Sequence, residues 1–315
     1  MRAMVYTKPG TVEQLEVDEP VAQADEILIE VAACGICGSE LHGISQPGFR
    51  QPPLIMGHEF SGTDPDGRSV VVNPLVTCGH CDLCVSGREE VCRNRSILGI
   101  HRPGAFAERV AVPRRLVHEL PPSVPLEEGA LIEPLANALH AWRISGGCHG
   151  ARVGILGAGS IGLATLLVAK HHGATVAITD VSADRLAHAA RLGADSAAQE
   201  LTGEFEVIID AVGAVATRRA SLERLRPAGT AVWLGLLDAE AGFDGRDLIR
   251  MEKRVVGSFA YSSDDFRDAV MLASEVDLSW WTPFDLSDGV RIFGELMNGR
   301  SDVVKALLRP RVLSE

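Results

Sequence analysis

One stretch decides the fold of the second half of the chain: Val153-Gly154-Ile155-Leu156-Gly157-Ala158-Gly159-Ser160-Ile161-Gly162. Its first four residues predict a short buried strand, and a helical run follows from Ser160. The glycines follow the pattern G-x-G-x-x-G, which is a weak signal alone but here occupies the strand–turn–helix context that it requires. We expect Gly157 to make the turn, Gly159 to admit a bulky anion, and Gly162 to let helix and strand pack closely.

This turn predicts a dinucleotide site. The backbone amides at the start of the helix, at Ser160 and Ile161, are donors for a pyrophosphate. Asp180 lies 18 residues after Gly162, at the end of the next predicted strand. A carboxylate there accepts hydrogen bonds from both ribose hydroxyls and repels a 2′-phosphate, which favours NAD over NADP. Arg185 is close enough to weaken that preference, although a solvated helix charge is its alternative role.

The alternation of strands and helices continues after the glycine turn. Residues 175–179, 206–210, 230–234 and 255–258 predict strands, and Ser182 predicts the N-cap of a helix that ends at Gly193. This order is typical of a parallel, doubly wound sheet, so we predict an α/β domain over residues 146–260.

The rest of the chain follows other patterns. Residues 1–145 contain short apolar–polar alternations and turns, as at 26–31 and 61–72, which predict a small β-barrel. After residue 260 the pattern weakens: 264–275 predicts a helix, and 261–315 is expected to return to the first domain.

Bulk properties limit the partners and the compartment. A formal charge of −12 over 315 residues argues against nucleic acid or an anionic membrane as a partner. Residues 153–169 carry no charge, but they contain four glycines and fall short of the roughly 20 residues that a membrane span needs. The seven cysteines are odd in number, and residues 1–6 lack the apolar core of a signal peptide. We therefore expect reduced thiols in the cytoplasm, mostly bound to metal.

The cysteine spacing predicts a closed zinc site. Cys78, Cys81, Cys84 and Cys92 place four thiols within fifteen residues, which suits tetrahedral coordination. His80 could replace one thiol, but four cysteines already fill the shell. The alternative is four separately buried cysteines.

A second, more dispersed set of residues suits a zinc ion with an open position. Cys34 and Cys37 precede Ser39, Glu40 and His42; His58 and Glu59 follow in the sequence Gly-His-Glu; and Glu133 follows much later. One thiolate, one imidazole and one carboxylate form such a site. Alternatively, His58 is a core histidine, Glu133 is a helix-start carboxylate, and both cysteines are buried hydrophobic residues. We expect only one of the two cysteines to be a ligand.

Taken in the order in which they occur along the chain, these motifs resemble those of zinc-dependent medium-chain dehydrogenases/reductases, the alcohol, sorbitol and threonine dehydrogenase family. The resemblance covers nearly the whole chain. It implies a GroES-like β-barrel catalytic domain plus a Rossmann domain, with the active site between them. It assigns Cys37, His58 and Glu133 to a catalytic zinc, Glu59 to an alternative or transient fourth position, and Cys34 to packing. It assigns a structural zinc to Cys78, Cys81, Cys84 and Cys92.

The resemblance also implies a reaction. Zinc acts as a Lewis acid, Ser39 takes the substrate proton and passes it through the cofactor ribose to His42, and hydride moves to NAD. The expected substrate is a secondary alcohol, polyol or cyclitol, or the ketone in reverse, and the expected assembly is a homodimer or homotetramer. Two alternatives are a zinc-independent quinone or enoyl reductase of the same fold, and a non-catalytic nucleotide-binding sensor.

Three departures from the family matter. Glu40 stands where the family usually has Asp, and its extra methylene is expected to alter the hydrogen bond to the zinc-bound histidine. Ala260 stands where many sorbitol-type members have Arg, which favours a less sugar-like substrate. The segment between Gly62 and Val70 is shorter than usual, which should affect the surface rather than the chemistry.

Overall fold

The computed structural model describes residues 1–44, 50–147, 149–300 and 302–310. Its strands are β1 Arg2–Lys8, β2 Thr11–Glu16, β3 Glu26–Gly35, β4 Leu54–Ile55, β5 Glu59–Thr63, β6 Ser69–Val72, β7 Leu75–Val76, β8 Ser96–Ile97, β9 Arg109–Pro113, β10 Val117–Glu119, β11 Arg152–Leu156, β12 Thr175–Thr179, β13 Ser196–Ala198, β14 Phe205–Asp210, β15 Leu225–Trp233, β16 Arg254–Gly257, β17 Thr282–Asp285 and β18 Ala306–Arg309. Its α-helices are α1 Gly38–Gly43, α2 Asp82–Val85, α3 Ile132–Ser145, α4 Ser160–His171, α5 Ala183–Arg191, α6 Val215–Glu223, α7 Gly245–Arg250, α8 Ser263–Leu272 and α9 Gly289–Met297. Short 3-10 turns occupy Glu89–Val91, Arg114–Leu116, Glu127–Leu131 and Leu286–Asp288.

The chain divides into two compact units. Unit 1 comprises Met1–Glu133, Ser262–Ser274 and the residues from Leu278 onward, and unit 2 comprises Pro134–Tyr261 with Glu275–Asp277. Among the described helices, none combines the length and the hydrophobicity that a membrane crossing requires.

Unit 2 is built on a six-stranded parallel sheet. The strand order is β13-β12-β11-β14-β15-β16, and every neighbouring pair is parallel. Numbered from β11, this is the order 3-2-1-4-5-6 of a Rossmann fold, which confirms the predicted doubly wound sheet. The chain order reverses on either side of β11, and ligands of such sheets bind where the order reverses, beyond the carboxyl ends of the strands. The glycine turn leaves β11 at this point.

Local signals explain most of unit 2. Ser182 caps α5, since its hydroxyl accepts a hydrogen bond from the Arg185 amide, and Gly193 follows the helix with a φ of +91°. The predicted strands are present, although β15 begins at Leu225 rather than at residue 230. The sequence did not predict β13, because its three residues, Ser-Ala-Ala, carry little strand preference.

Unit 1 is organised around β3, a ten-residue strand. Its seven-stranded sheet has the order β10-β6-β5-β3-β18-β17, and β9 also pairs with β3. The register places Gly35 opposite Glu59 on one side and opposite Leu307 on the other. Three segments that are far apart in sequence therefore meet at the end of β3, directly before Cys37. A separate three-stranded sheet has the order β2-β1-β4.

A large apolar core supports this end of β3. Its buried members include Ile29, Met56, Phe60, Phe106 and Leu308. Cys34 belongs to the same core and is 0% exposed, which agrees with its predicted packing role. The predicted helix at 264–275 is present as α8, which begins after the N-cap Ser262 and ends earlier, at Leu272.

Candidate metal centres and cofactor site

The four predicted thiols of the cysteine lobe, residues 78–92, form one cluster. The Sγ atoms of Cys78 and Cys92 lie 3.5 Å apart, those of Cys81 and Cys84 3.5 Å, those of Cys81 and Cys92 3.8 Å, and those of Cys78 and Cys84 3.9 Å. A tetrahedral zinc with Zn–S bonds of about 2.3 Å separates its sulfurs by about 3.8 Å. The cluster therefore fits a zinc ion.

The local backbone builds this lobe. Cys81 is the N-cap of α2, and Gly79 and Gly87 both adopt a φ of +74°, which allows the tight turns between thiols. Backbone hydrogen bonds from His80 and Cys81 lower the pKa of Cys78 to about 6, whereas burial and the neighbouring thiols raise the pKa of Cys84 to about 12. A bound cation would replace the protons that these crowded thiols otherwise share.

A second group of ligand atoms lies at the end of β3. One atom each from Cys37, His58 and Glu59 lies within 4.8 Å of the others. Cys37 is the N-cap of α1, Glu59 is the first residue of β5, and His58 directly precedes it. A thiol, an imidazole and a carboxylate so close together are a donor set that suits zinc.

Glu40 orients this group despite its extra methylene. Its Oε1 lies 3.1 Å from His58 Nδ1 and accepts the Gly57 amide at 2.9 Å, while Oε2 accepts the Cys37 amide at 3.0 Å. With Nδ1 facing Glu40, Nε2 is the ring nitrogen that a cation would bind in place of a proton. Glu40 thus makes the histidine contact that the resemblance assigns to the usual Asp.

The electrostatics agree with a cation site. Burial alone would lower the pKa of His58, but the Glu40 carboxylate and the Cys37 thiol outweigh it and raise this pKa well above its usual value. Burial alone would raise the pKa of Glu40, but His58 and Arg50 outweigh it and the pKa is lowered. The group attracts positive charge, which a metal ion would supply in place of a proton.

Glu59 has a buried partner that the sequence did not reveal. Lys305 Nζ lies 2.5 Å from Glu59 Oε2 and donates to the Ile36 carbonyl at 3.1 Å. Arg50 is a second buried cation, 2% exposed, and its guanidinium donates to the carbonyls of Ser39 and Gly99. Neither residue belongs to a recognisable motif, so only long-range folding could reveal them.

Glu133 lies in the first turn of α3 and is 8% exposed. A carboxylate in this position also interacts favourably with the helix dipole. Its predicted role as a metal ligand stays a prediction, since the group of ligand atoms at the end of β3 comprises Cys37, His58 and Glu59.

Ser39 and His42 lie three residues apart on α1 and therefore share a face of the helix. The Ser39 hydroxyl is buried and has no hydrogen-bond partner among the described residues. His42 is exposed. A buried hydroxyl without a hydrogen bond destabilises the folded protein unless a ligand provides the partner. This fits the predicted role of Ser39 in binding or proton transfer.

The glycine turn has the three properties expected of it. Gly157 has a φ of +96°. A Cβ on Gly162 would lie 1.8 Å from the Gly157 carbonyl oxygen, so only glycine allows this close packing. A Cβ on Gly159 would meet nothing within 4 Å, and the buried Ser160 hydroxyl next to it has no partner among the described residues. The open space and the unpartnered hydroxyl fit a pyrophosphate at the N-terminus of α4.

Asp180 lies directly after β12 and beside this turn. Its carboxylate accepts the Ala158 amide at 2.8 Å and the Ser182 amide at 2.9 Å, and Arg185 Nη1 lies 3.7 Å away. The carboxylate is therefore fixed against the turn, in a position suited to a ribose. Ile161 occupies the first turn of α4, as predicted.

Comparisons with known proteins identify the family. Residues 23–122 match the family described as alcohol dehydrogenase GroES-like domain, and residues 160–275 match the family described as zinc-binding dehydrogenase. A sorbitol dehydrogenase of Halalkalibacterium halodurans is 32% identical, over 98% of this chain and 99% of the relative. The chain is a zinc-binding dehydrogenase.

Two further relatives of this zinc-binding dehydrogenase are informative. An (R,R)-butanediol dehydrogenase of Saccharomyces cerevisiae is 30% identical, over 98% of each chain. The crystal structure of a zinc-binding dehydrogenase from Sinorhizobium meliloti 1021 bound to NADP superposes with a TM-score of 0.90 at 30% identity, over 98% of this chain and 99% of that chain. As a member of this family, the chain is an oxidoreductase that uses zinc and a nicotinamide dinucleotide.

Proposed function

We propose that the protein oxidises a secondary alcohol, polyol or cyclitol with NAD, and reduces the ketone in the reverse direction. The group formed by Cys37, His58 and Glu59 carries this proposal, because its donor set, its burial and its Glu40 contact suit a zinc ion that works on a substrate oxygen. The relatives named sorbitol dehydrogenase and butanediol dehydrogenase support the same substrate class.

Two zinc ions have different roles in this proposal. Cys37 and His58, with Glu133 and with Glu59 as an alternative fourth ligand, hold the catalytic ion. The four thiols of the cysteine lobe hold a structural ion that does no chemistry. When bound, the catalytic zinc supplies Lewis-acid chemistry that lowers the energy of a developing alkoxide.

The chain's own residues then move the proton. We assign to Ser39 the acceptance of the substrate hydroxyl proton at Oγ, and to His42 its release, since both lie on one face of α1. Glu40 keeps His58 in the tautomer whose Nε2 binds a cation.

NAD is the proposed cofactor. Gly157, Gly159 and Gly162 shape the turn, the amides at Ser160 and Ile161 hold the pyrophosphate, and the ribose hydroxyls donate to Asp180. The Asp180 carboxylate disfavours the 2′-phosphate of NADP, and Arg185 partly offsets its charge.

The substrate is expected to carry few hydroxyl groups. Ala260 offers no charge or hydrogen-bonding group for an additional hydroxyl, where many sorbitol-type relatives have Arg. We also propose a homodimer or homotetramer in the cytoplasm, where the described cysteines, which form no disulfide among themselves, stay reduced and able to bind zinc.

A substrate panel tests the proposal. The zinc-loaded protein is assayed with secondary alcohols, vicinal diols, hexitols and cyclitols, first with NAD and then with NADP, by the absorbance of the reduced cofactor. We expect turnover with NAD that is lost on dialysis against a chelator and restored by zinc, while NAD binding is retained. Turnover that survives removal of both zinc ions would favour the zinc-independent reductase. NAD binding without turnover on any substrate would favour the sensor.

A further inference from the structure

Lys305 is a buried cation whose position needs a physical reason. Its side chain and that of Glu59 are each 1% exposed, and their ion pair joins residues 246 positions apart in sequence. Removing an ammonium group from water costs several kcal/mol unless a well-placed anion and further acceptors replace the water. Lys305 has both, because Glu59 Oε2 and the Ile36 carbonyl accept its hydrogen bonds.

The Glu59 carboxylate has little room. Gly35 lies opposite Glu59 in the sheet, and a Cβ on Gly35 would lie 2.2 Å from Glu59 Oε2. The carboxylate therefore occupies the space that glycine leaves. From there it can contact the Lys305 ammonium, or it can turn toward Cys37 and His58, whose ligand atoms lie within 4.8 Å of its own.

Buried groups of both charge signs surround this carboxylate. Cys37, Glu40 and Glu59 can supply negative charge, and the buried Arg50 and Lys305 supply positive charge. A divalent cation at Cys37 and His58 would compete with Lys305 for Glu59, because both are cations within reach of one carboxylate. The outcome decides whether Glu59 occupies a coordination position.

We propose that Lys305 is a positioning residue that holds Glu59 off the catalytic metal, so that one coordination position stays open for the substrate. This inference rests on the proposed function, because it needs a metal at Cys37 and His58. Without the Lys305 charge, Glu59 would be a buried carboxylate whose nearest available cation is the metal, and it would become a permanent ligand.

Cobalt(II) in place of zinc provides the direct test, since its visible absorption reports the ligands around the ion. Lys305→Met removes the charge and keeps an unbranched apolar side chain, Lys305→Arg keeps the charge, and Glu59→Gln removes the carboxylate charge. We expect Glu59→Gln and Lys305→Arg to keep the wild-type cobalt spectrum. Lys305→Met should change it, and the double variant Lys305→Met/Glu59→Gln should restore it.

Two solution measurements give independent readouts. Release of the catalytic zinc to a colorimetric chelator should be about 10-fold slower in Lys305→Met than in the wild type, because an additional ligand holds the ion. The KM for the alcohol should rise in the same variant, because the substrate must displace Glu59. The structural zinc, which is far along the chain in the cysteine lobe, should be released at an unchanged rate.

Several outcomes would overturn the inference. A changed cobalt spectrum in Glu59→Gln would mean that Glu59 is already a ligand in the wild type, and this test does not require Lys305→Met to fold. A wild-type cobalt spectrum in a folded Lys305→Met would mean that Lys305 has only a structural role. Failure of the proposed function looks different, since the wild-type protein would then show no turnover on the substrate panel.

Discussion

The cysteine lobe and the Cys37–His58–Glu59 group both bring together side chains that can bind a metal ion, but they do so in different ways. The lobe takes four thiols from fifteen consecutive residues, and one short helix with two glycine turns arranges them. The Cys37–His58–Glu59 group needs the register of β3, β5 and β18, and its buried carboxylates need the cations Arg50 and Lys305.

This difference in assembly predicts different roles, with the lobe contributing to stability and the Cys37–His58–Glu59 group to catalysis. Bringing together ligands that are close in sequence costs little chain entropy. A metal ion bound by such a lobe therefore stabilises the structure locally. Ligands from distant segments are held by the surrounding fold, which can keep one position open and tune the charge. Damage to the lobe should therefore appear first in stability, and damage to the dispersed group should appear first in turnover.

The largest effect is expected at Cys37. Cys37→Ser removes the only thiol of the group formed with His58 and Glu59, and we expect the loss of several kcal/mol of transition-state stabilisation, which is about 10³-fold or more in kcat/KM. The cysteine lobe and the glycine turn are untouched, so one zinc per chain and NAD binding should remain. Metal analysis, NAD titration and steady-state kinetics measure the three quantities.

Cys34→Ala is the matched control for this variant. Cys34 lies three residues earlier in the same stretch but belongs to the apolar core. We expect a modest loss of thermal stability, two zinc ions per chain, and most of the activity. If Cys34→Ala loses the catalytic zinc while Cys37→Ser keeps it, the assignment of the two cysteines is reversed.

In the cysteine lobe, Cys81→Ser should lower the free energy of unfolding by an amount comparable to the effect of Cys37→Ser on catalysis, and should leave the chemistry unaffected. Loss of a structural metal belongs to the class of changes that cost about 4 kcal/mol or more, roughly 10³-fold in the unfolding equilibrium. Chemical denaturation measures this cost, and zinc analysis should find one ion per chain. Activity per folded molecule should be nearly unchanged. Lost activity in a fully folded variant would contradict the separation of roles.

The glycine turn and the lobe could be predicted from sequence because their geometry is local. The turn needs a left-handed backbone at Gly157 and no side chain at Gly162. Glycine meets both requirements, and the two glycines lie a few residues apart in the sequence. The N-cap Ser182 and the strands around it follow from equally local signals. Resemblance to a family then ordered these motifs into one fold.

Lys305, by contrast, could not be predicted from its own neighbourhood. A lysine before an apolar strand usually lies at the surface, and only the pairing of β18 with β3 buries it against Glu59. The same limit applies to Glu40, whose extra methylene predicts an altered hydrogen bond to the histidine. The capping geometry of α1 instead brings its carboxylate to both His58 and the Cys37 amide.

Glu40→Gln tests whether the Cys37–His58–Glu59 group depends on a residue that orients His58. Removing the charge should weaken the hold on His58 and reduce affinity for the catalytic zinc by about 10–100-fold, the usual cost of losing such a partner. Competition with a chelator measures this affinity. Glu40→Asp is the conservative control and should lie between the wild type and Glu40→Gln. Equal zinc affinity in all three proteins would show that His58 does not depend on Glu40.

The smallest effect is expected at Asp180. This residue belongs to a local motif that sets the preference for NAD or NADP and binds no metal ion. Asp180→Asn keeps the size of the side chain and one carbonyl acceptor, but it removes the charge that faces a ribose. We expect the KM for NAD to rise about 10-fold, since a hydrogen bond to a charged group contributes about 1.5–3 kcal/mol. Activity with NADP should improve, because the repulsion of the 2′-phosphate is gone while Arg185 remains.

Arg185→Ala separates the two contributions to this preference. It leaves the Asp180 carboxylate on the Ala158 and Ser182 amides, so NAD should bind nearly as before, whereas NADP should bind more weakly. The ratio of kcat/KM for the two cofactors measures both variants. A wild-type enzyme that already prefers NADP, or an Asp180→Asn variant with an unchanged ratio, would mean that Asp180 serves only the backbone of the turn. Like the cysteine lobe, the motif would then be a structural feature that local sequence predicts well.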